Sequence, residues 1–277
     1  MKAAKEDSIS CVRFRHNEMG GDDVNTIGLD MGSAFIKGVL LCDDGRCFSV
    51  VEKSGRNYRE TAERIYRALL EMADIKEAEV FSTGCGEGCI SFPSRHVSEM
   101  AALVRAVTEQ EHGPCIILDL GGQAGRLCVI DENDRVEAFD YSTKCASGSG
   151  KVLESVSRIL QVPFEALSEL GAKAQTAAAF TTSCAVFAES EAITAVARGE
   201  SKESIIAGFH QSIAQKYMAM LNKHSNVKTV VAAGGMAKDQ ALLDVLGDMV
   251  QMTVKVAEEP QLCIARGAAL LGRDMLP

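Results

Sequence analysis

Two aspartates, Asp30 and Asp119, each end an apolar run and are followed at once by a glycine turn. A carboxylate held at a strand end can bind Mg²⁺ directly or through water. Glycine lets the backbone approach a ligand closely and aim its N–H groups at phosphate oxygens. The sequence therefore predicts two phosphate-binding turns suited to phosphoryl transfer to water, which depends mainly on positioning and charge neutralisation. The turn residues are Gly32 and Ser33 in the first copy and Gly121 and Gly122 in the second.

The two turns belong to an internal repeat with an offset of 89 residues. Leu-Asp-Met-Gly at 29–32 matches Leu-Asp-Leu-Gly at 118–121, and Lys37 matches Arg126. We expect a duplicated fold whose two turns grip one triphosphate, with two ordinary glycine hairpins as the alternative. Lys37 is either a phosphate contact of the first turn or a solvated strand lysine.

A third glycine signal, Gly234-Gly235, closes an apolar strand and precedes a helix. Such a junction offers an adenosine a flat surface free of side chains, together with helix N-terminal amides. We predict a nucleoside platform here, although a strand, two glycines and a helix form a weak signal alone.

Two of the ten cysteines, Cys145 and Cys184, stand just before predicted helices and among small or polar residues. The positive end of a helix dipole lowers the pKa of a thiol and favours a negatively charged cluster. An iron–sulfur cluster normally needs four thiolates. A two-fold dimer sharing one cluster would supply them, whereas lone helix-start cysteines are often core or cap neighbours. The absence of a C-x₂-C pair argues against a zinc knuckle.

Bulk properties exclude several classes of protein. The chain has 277 residues, a net charge of −9 and an apolar fraction of 47%. An acidic chain of this kind is not expected to bind nucleic acid, which requires clustered Lys and Arg. No apolar run approaches the roughly 20 residues that span a bilayer, and the N-terminus lacks the apolar stretch of a signal peptide. We therefore expect a cytoplasmic protein without membrane contact.

Strand, glycine turn and strand, followed by helices, occur twice along the chain and predict an α/β fold. Residues 1–23 are polar and are interpreted as an N-terminal extension outside the fold. We expect a first domain at 24–112 with 258–277, and a second at 113–257. Apolar spacing predicts helices at 58–72, 97–107, 148–160, 185–198, 201–221, 237–250 and 261–275.

The D-x-G-S, D-x-G-G and late A-G-G motifs resemble the acetate and sugar kinase, Hsp70 and actin superfamily. That resemblance implies two ribonuclease-H-like domains with a nucleotide cleft between them. A G-x-G-x-x-G fingerprint and a Walker A sequence are both absent.

The longer motifs KCASGSG, TTSCAVFAESE, LDLGGQ, AAGGMA and CIARGAALLG look like the activators of 2-hydroxyacyl-CoA dehydratases and the ATPase subunits of benzoyl-CoA reductase. The resemblance spans residues 27–272. It implies an ATPase that forms a homodimer, or a pseudo-symmetric heterodimer, around one bridging [4Fe–4S] cluster. ATP hydrolysis to ADP would drive electron delivery to an acyl-CoA dehydratase or reductase, with ferredoxin or flavodoxin as donor. The implied residues are Cys145 and Cys184 for the cluster, Asp30 and Asp119 for Mg²⁺, and Gly234 and Gly235 for the nucleoside.

One departure from the family pattern is Ala124, where an Asp usually follows D-x-G-G-Q. Gln123 is still expected to reach the γ-phosphate, but the loss puts the metal arrangement and the subfamily in doubt. One alternative is a small-molecule kinase of the same superfamily, in which Cys145 and Cys184 would have no function. The other is a non-catalytic ATP-binding sensor.

Other residues carry weaker signals. Cys85 and Cys89 stand in a glycine-rich loop as a C-x₃-C pair, a weak metal signal. Glu189 and Glu191 favour a helix dipole, with one of them free to face a cleft, and Glu99 is more typical of a solvated helix acid than of a water-orienting group. The five histidines show no ligand spacing.

Overall fold

The computed structural model describes residues 8–10, 24–123, 125–141, 148–180 and 185–276, and the side chains from residue 24 onward except those of 185 and 186. Contacts divide the chain into two units, Met1–Glu111 with Leu262–Pro277, and His112–Gln261. The identification of these units with the domains drawn from the sequence remains a proposal. Among the described helices, none combines the length and apolar character needed to cross a bilayer.

The first unit is built on a six-stranded sheet in the order β1-β4-β3-β2-β5-β6. Strands β2, β3 and β4 form an antiparallel meander, and β5 and β6 continue the sheet in parallel with β2. The strands are β1 Ser8–Ser10, β2 Thr26–Met31, β3 Phe35–Leu41, β4 Cys47–Lys53, β5 Glu79–Thr83 and β6 Arg95–His96.

The second unit repeats this plan in a five-stranded sheet with the order β11-β10-β7-β8-β9. Its strands β7, β8 and β9 form the meander, and β10 and β11 run parallel with β7. Both units therefore share the strand order of a ribonuclease-H-like domain, which confirms the predicted duplicated α/β fold. The strands are β7 Cys115–Leu120, β8 Gly125–Ile130, β9 Val136–Tyr141, β10 Thr229–Ala233 and β11 Thr253–Val256.

Helices cover the sheets through their apolar faces. In α1, Asn57 caps the first turn by accepting from the Glu60 amide, and Ile65 and Leu69 are buried against the sheet. The helices of the first unit are α1 Tyr58–Ala73, α2 Glu99–Thr108 and α8 Cys263–Met275. Those of the second are α3 Gly150–Leu160, α4 Leu167–Ala172, α5 Ala185–Ala197, α6 Lys202–Leu221 and α7 Gln240–Val250.

Three elements differ from the sequence expectation. Ser8–Ser10, within the segment expected to lie outside the fold, pairs antiparallel with β4 as an edge strand. The two-residue β6 and the six-residue α4 were not predicted. Each is too short for a periodic apolar pattern, and a strand at a sheet edge needs only backbone pairing.

A buried pair joins three helices of the second unit. His210 Nε2 on α6 lies 2.9 Å from Asp239 Oδ2, and both side chains are almost fully buried. Asp239 also caps α7 by accepting from the Leu242 amide, and Ser168 at α4 donates to it as well. Burial alone would raise the pKa of Asp239, but His210 and these donors hold it below its usual range.

His210→Leu is expected to destabilise the second unit by about 3–5 kcal/mol near neutral pH, because it leaves a buried carboxylate without its partner. Hydrogen exchange of the α7 amides measures this loss, with the less buried His224→Leu as the control. A lowered folded-state pKa stabilises the fold above the unfolded value of about 3.9. The difference between wild type and His210→Leu should therefore shrink as the pH falls below that value. Equal exchange in both variants at pH 7 would contradict this assignment.

Candidate functional site

The first predicted turn begins with an ion pair across two strands. Asp30 on β2 faces Lys37 on β3 in register, and Lys37 Nζ lies 2.8 Å from Asp30 Oδ2. The aspartate is only 3% exposed. Lys37 is thus not the solvated strand lysine of the alternative interpretation, and its contact with phosphate stays a prediction.

The second turn repeats the pair at the matching position of the repeat. Asp119 on β7 faces Arg126 on β8, with Arg126 Nη1 3.3 Å from Asp119 Oδ2. Asp119 is also 3% exposed. The repeat found in the sequence is therefore a repeat of side-chain geometry, in which a basic group on the second strand of each hairpin partly neutralises the aspartate of the first.

The carbonyl oxygens of the first turn are bonded into the protein. The Gly86 amide donates to Met31 O at 3.0 Å. Ser54 Oγ donates to Gly32 O at 2.6 Å, and the Tyr58 hydroxyl donates to the carbonyl of Ser33 at 3.3 Å. Carbonyl oxygens repel phosphate, so a turn anchored on this side suits the binding of an anion by its amide side.

The second turn is anchored in the same way by a helix. The amides of Gly150 and Lys151, at the start of α3, donate to Gly121 O and Gly122 O at 3.1 and 3.2 Å. Tyr217 on α6 supports the adjoining backbone, because its hydroxyl donates to Gly148 O at 2.7 Å. Burial raises the pKa of Tyr217 far above its ordinary value, so it stays a neutral donor. A lone tyrosine in a helix carries no sequence signal, and it was not predicted.

Gly234 adjoins the second turn directly. Ala233 at the end of β10 is in register with Asp119, and Gly234 follows with φ +85°. A Cβ atom at position 234 would lie 2.5 Å from Asp119 Oδ1 and 2.6 Å from Leu120 O. Only glycine fits this left-handed position against the aspartate. Open space surrounds the neighbouring Gly235, where a Cβ would have no described atom beyond its own chain neighbours within 4 Å.

The structure thus brings the predicted residues together in two sets, one in each unit. Asp30, Gly32, Ser33 and Lys37 surround the β2–β3 turn. Asp119, Gly121, Gly122, Gly234 and Gly235 meet where β7 and β10 end, and Gln123 is exposed beside them. Each set combines a rigid carboxylate, a basic partner and a turn anchored through its carbonyls, which is a chemical arrangement suited to Mg²⁺ and phosphate.

Several predicted residues fall elsewhere. Cys145, Cys184 and Ala124 lie outside the described residues. Cys85 and Cys89 are exposed free thiols, and no group of three or more His, Cys, Asp or Glu side chains able to hold a metal occurs in the described part of the chain. Glu189 pairs with Arg158 and accepts from Ser155, which is a surface role.

Comparison with known proteins identifies relatives that match this chain over most of its length. The chain is 31% identical over 255 residues to the (R)-2-hydroxyglutaryl-CoA dehydratase activating ATPase of Acidaminococcus fermentans, covering 89% of this chain and 96% of that protein. It is 32% identical over 262 residues to a subunit of the benzoyl-CoA reductase of Thauera aromatica, covering 89% and 92%.

A solved structure agrees with these relatives. The activator of the 2-hydroxyisocaproyl-CoA dehydratase from Clostridium difficile, with bound ADPNP, superposes with a TM-score of 0.83 at 29% identity, covering 91% of this chain and 95% of that one. The BadF/BadG/BcrA/BcrD ATPase family model matches residues 27–272. The chain therefore belongs to the BadF/BadG/BcrA/BcrD ATPase family.

Proposed function

We propose that this protein is an ATP-dependent activator that delivers low-potential electrons to a partner acyl-CoA dehydratase or reductase. The observation that carries the ATPase part is the pair of carbonyl-anchored turns, each with its buried aspartate and basic partner. The activator part is supported by the family and by relatives that are activators of dehydratases or a subunit of a reductase.

The turns bind ATP and its magnesium ion in this proposal. Asp30 and Asp119 would serve Mg²⁺, which typically takes one or two carboxylates together with waters and phosphate oxygens. Gly234 and Gly235 would receive the nucleoside. Lys37 and Arg126 each pair with one of these aspartates and would supply positive charge beside a bound phosphate.

Cys145 and Cys184, from each of two subunits, are the proposed ligands of one [4Fe–4S] cluster. When bound, such a cluster supplies single low-potential electrons. The donor set fits chemically, because two thiolates from each of two subunits make the four that such a cluster takes, and Cys184 directly precedes in sequence the helix that begins at Ala185. The two subunits that share the cluster are either identical chains or two similar chains related by pseudo-symmetry.

Exposed apolar side chains on the two elements that adjoin the cysteine segments in sequence support a subunit contact. On α5, Phe187, Ile193 and Val196 are exposed. On β9, which ends four residues before Cys145, Phe139 and Tyr141 are exposed and their rings contact each other. Exposed apolar side chains concentrated on elements that lead to the cysteines are typical of a surface that a protein partner covers.

The proposal predicts that nucleotide state changes the midpoint potential of the visible chromophore in anaerobically purified protein. We expect the ADPNP form to have a lower potential than the ADP form, because exposure and hydrogen bonding to sulfur set the potential. For a one-electron centre, each tenfold change in the equilibrium corresponds to about 59 mV. Redox titration under visible absorption, with mediators, measures the difference. The same potential in both forms would remove the coupling of ATP to electron delivery.

A further inference from the structure

The loop after β5 carries two thiols that the proposed activity does not use. Cys85 and Cys89 are both exposed and free. Two successive turns fold the loop back on itself, because the Glu87 amide donates to Gly84 O at 3.2 Å and the Cys89 amide donates to Gly86 O at 3.0 Å. The thiols are four residues apart in the sequence, and both are accessible to reagents.

The same loop holds the first turn in place. Cys85 Sγ lies 3.5 Å from Met31 O, which also accepts from the Gly86 amide. Met31 stands between Asp30 and Gly32. A change in the loop at Cys85 therefore acts directly on the backbone of that turn.

Tyr58 connects the thiols with the turn a second time. Its hydroxyl donates to Ser33 O, and its ring packs so closely on Gly86 that a Cβ there would lie 2.2 Å from a ring carbon. Burial raises the pKa of Tyr58, and the neighbouring thiols of Cys85 and Cys89 raise it further. Tyr58 therefore contacts both the loop that carries the thiols and the first turn.

We propose that Cys85 and Cys89 are a modification site, a dithiol that low-molecular-weight disulfides oxidise to an intramolecular disulfide, and that this oxidation loosens the Asp30 turn. One protein thiolate attacks the reagent disulfide, forming a mixed disulfide and releasing one reagent thiol. The second protein thiolate then displaces the other reagent thiol. The two cysteines lose two electrons and two protons, and one reagent disulfide becomes two thiols.

The geometry explains why closure affects the turn. A disulfide requires the two Cα atoms to lie within about 7 Å of each other and each sulfur to point at the other. In this proposal, Cys85 Sγ exchanges its contact with Met31 O, now 3.5 Å long, for the bond to the Cys89 sulfur. Glycines at 84, 86 and 88 allow the loop to move, and the contact of the Gly86 amide with Met31 O moves with it.

Formation of the bond is tested on the full-length protein treated anaerobically with glutathione disulfide and then digested with trypsin. Residues 77–95 form one tryptic peptide that contains both thiols and no other cysteine. We expect this peptide to lose two hydrogens in mass in the wild type. Cys89→Ser should instead gain a glutathione at Cys85. A wild-type peptide that stays reduced, or carries only glutathione adducts, would overturn the proposal.

The effect on the turn has two readouts. Hydrogen exchange at the Gly86 amide should become faster on oxidation, whether or not nucleotide binds. Affinity for ADPNP, measured by calorimetry, should fall about tenfold when the wild type is oxidised, whereas oxidant treatment should not change the affinity of a variant in which both Cys85 and Cys89 are replaced by serine. This second readout rests on the proposed function. Unchanged exchange and affinity in the oxidised wild type would overturn the coupling, whereas a reduced protein that fails to bind ADPNP would overturn nucleotide binding itself.

Discussion

Cys145→Ser and Cys184→Ser are each expected to abolish iron binding and the visible colour of anaerobically purified protein. In a dimer of identical chains, one substitution removes two of the four thiolates of a shared cluster, and a serine hydroxyl is a poor replacement for a thiolate. Iron analysis and absorption spectra measure the loss. Neither position belongs to a phosphate turn, so ADPNP binding should persist and show that the fold is intact.

Cys89→Ser is the matched control for these variants, because it makes the same substitution at an exposed cysteine that is not a proposed cluster ligand. It should retain full iron content under anaerobic conditions. If Cys145→Ser keeps the same iron as the control, the ligand assignment is wrong. A small-molecule kinase or a nucleotide sensor of the same fold would then account better for the turns.

Gly234→Ala is expected to lower kcat/KM for ATP hydrolysis about a hundredfold or more. The residue has φ +85°, and the added Cβ would lie 2.5 Å from Asp119 Oδ1 and 2.6 Å from a backbone carbonyl oxygen. Backbone cannot yield as a flexible side chain does, so the end of β10 or the turn at Asp119 must shift. A displacement of about 1 Å in a positioning group can cost about a hundredfold in rate.

Gly247→Ala is the control for this prediction. It lies in α7, where the new Cβ meets only ordinary contacts at 3.6 Å or more, and alanine favours a helix over glycine. We expect wild-type hydrolysis and a slightly more stable helix. Hydrolysis by Gly234→Ala within a few-fold of the control would show that the Gly234 junction does not position ATP.

Much of the candidate site was predictable because its signals are local. Asp30 and Asp119 were found from a strand followed by a glycine turn, and Gly234 from a glycine pair at the end of an apolar strand. The offset of 89 residues also predicted the duplicated sheets, because equal strand–turn–strand segments fold alike.

The supports of the site were not predictable, since they depend on distant contacts. Ser54 and Tyr58 bond carbonyls of the first turn from outside it, and Tyr217 reaches Gly148 across 69 positions of the chain. The ion pair of Asp119 with Arg126 depends on the register of the β7–β8 hairpin, which places these two residues opposite each other. Propensity and periodicity describe neighbouring residues and carry no information on such pairs.

The most direct test of the account measures iron, sulfide and molecular mass on the same oxygen-free preparation of wild-type protein. The account predicts a brown dimer with about four irons and four sulfides for every two chains. Colourless and metal-free protein, or a coloured monomer, would contradict this account. Only the assignment to an ATPase family would then stand.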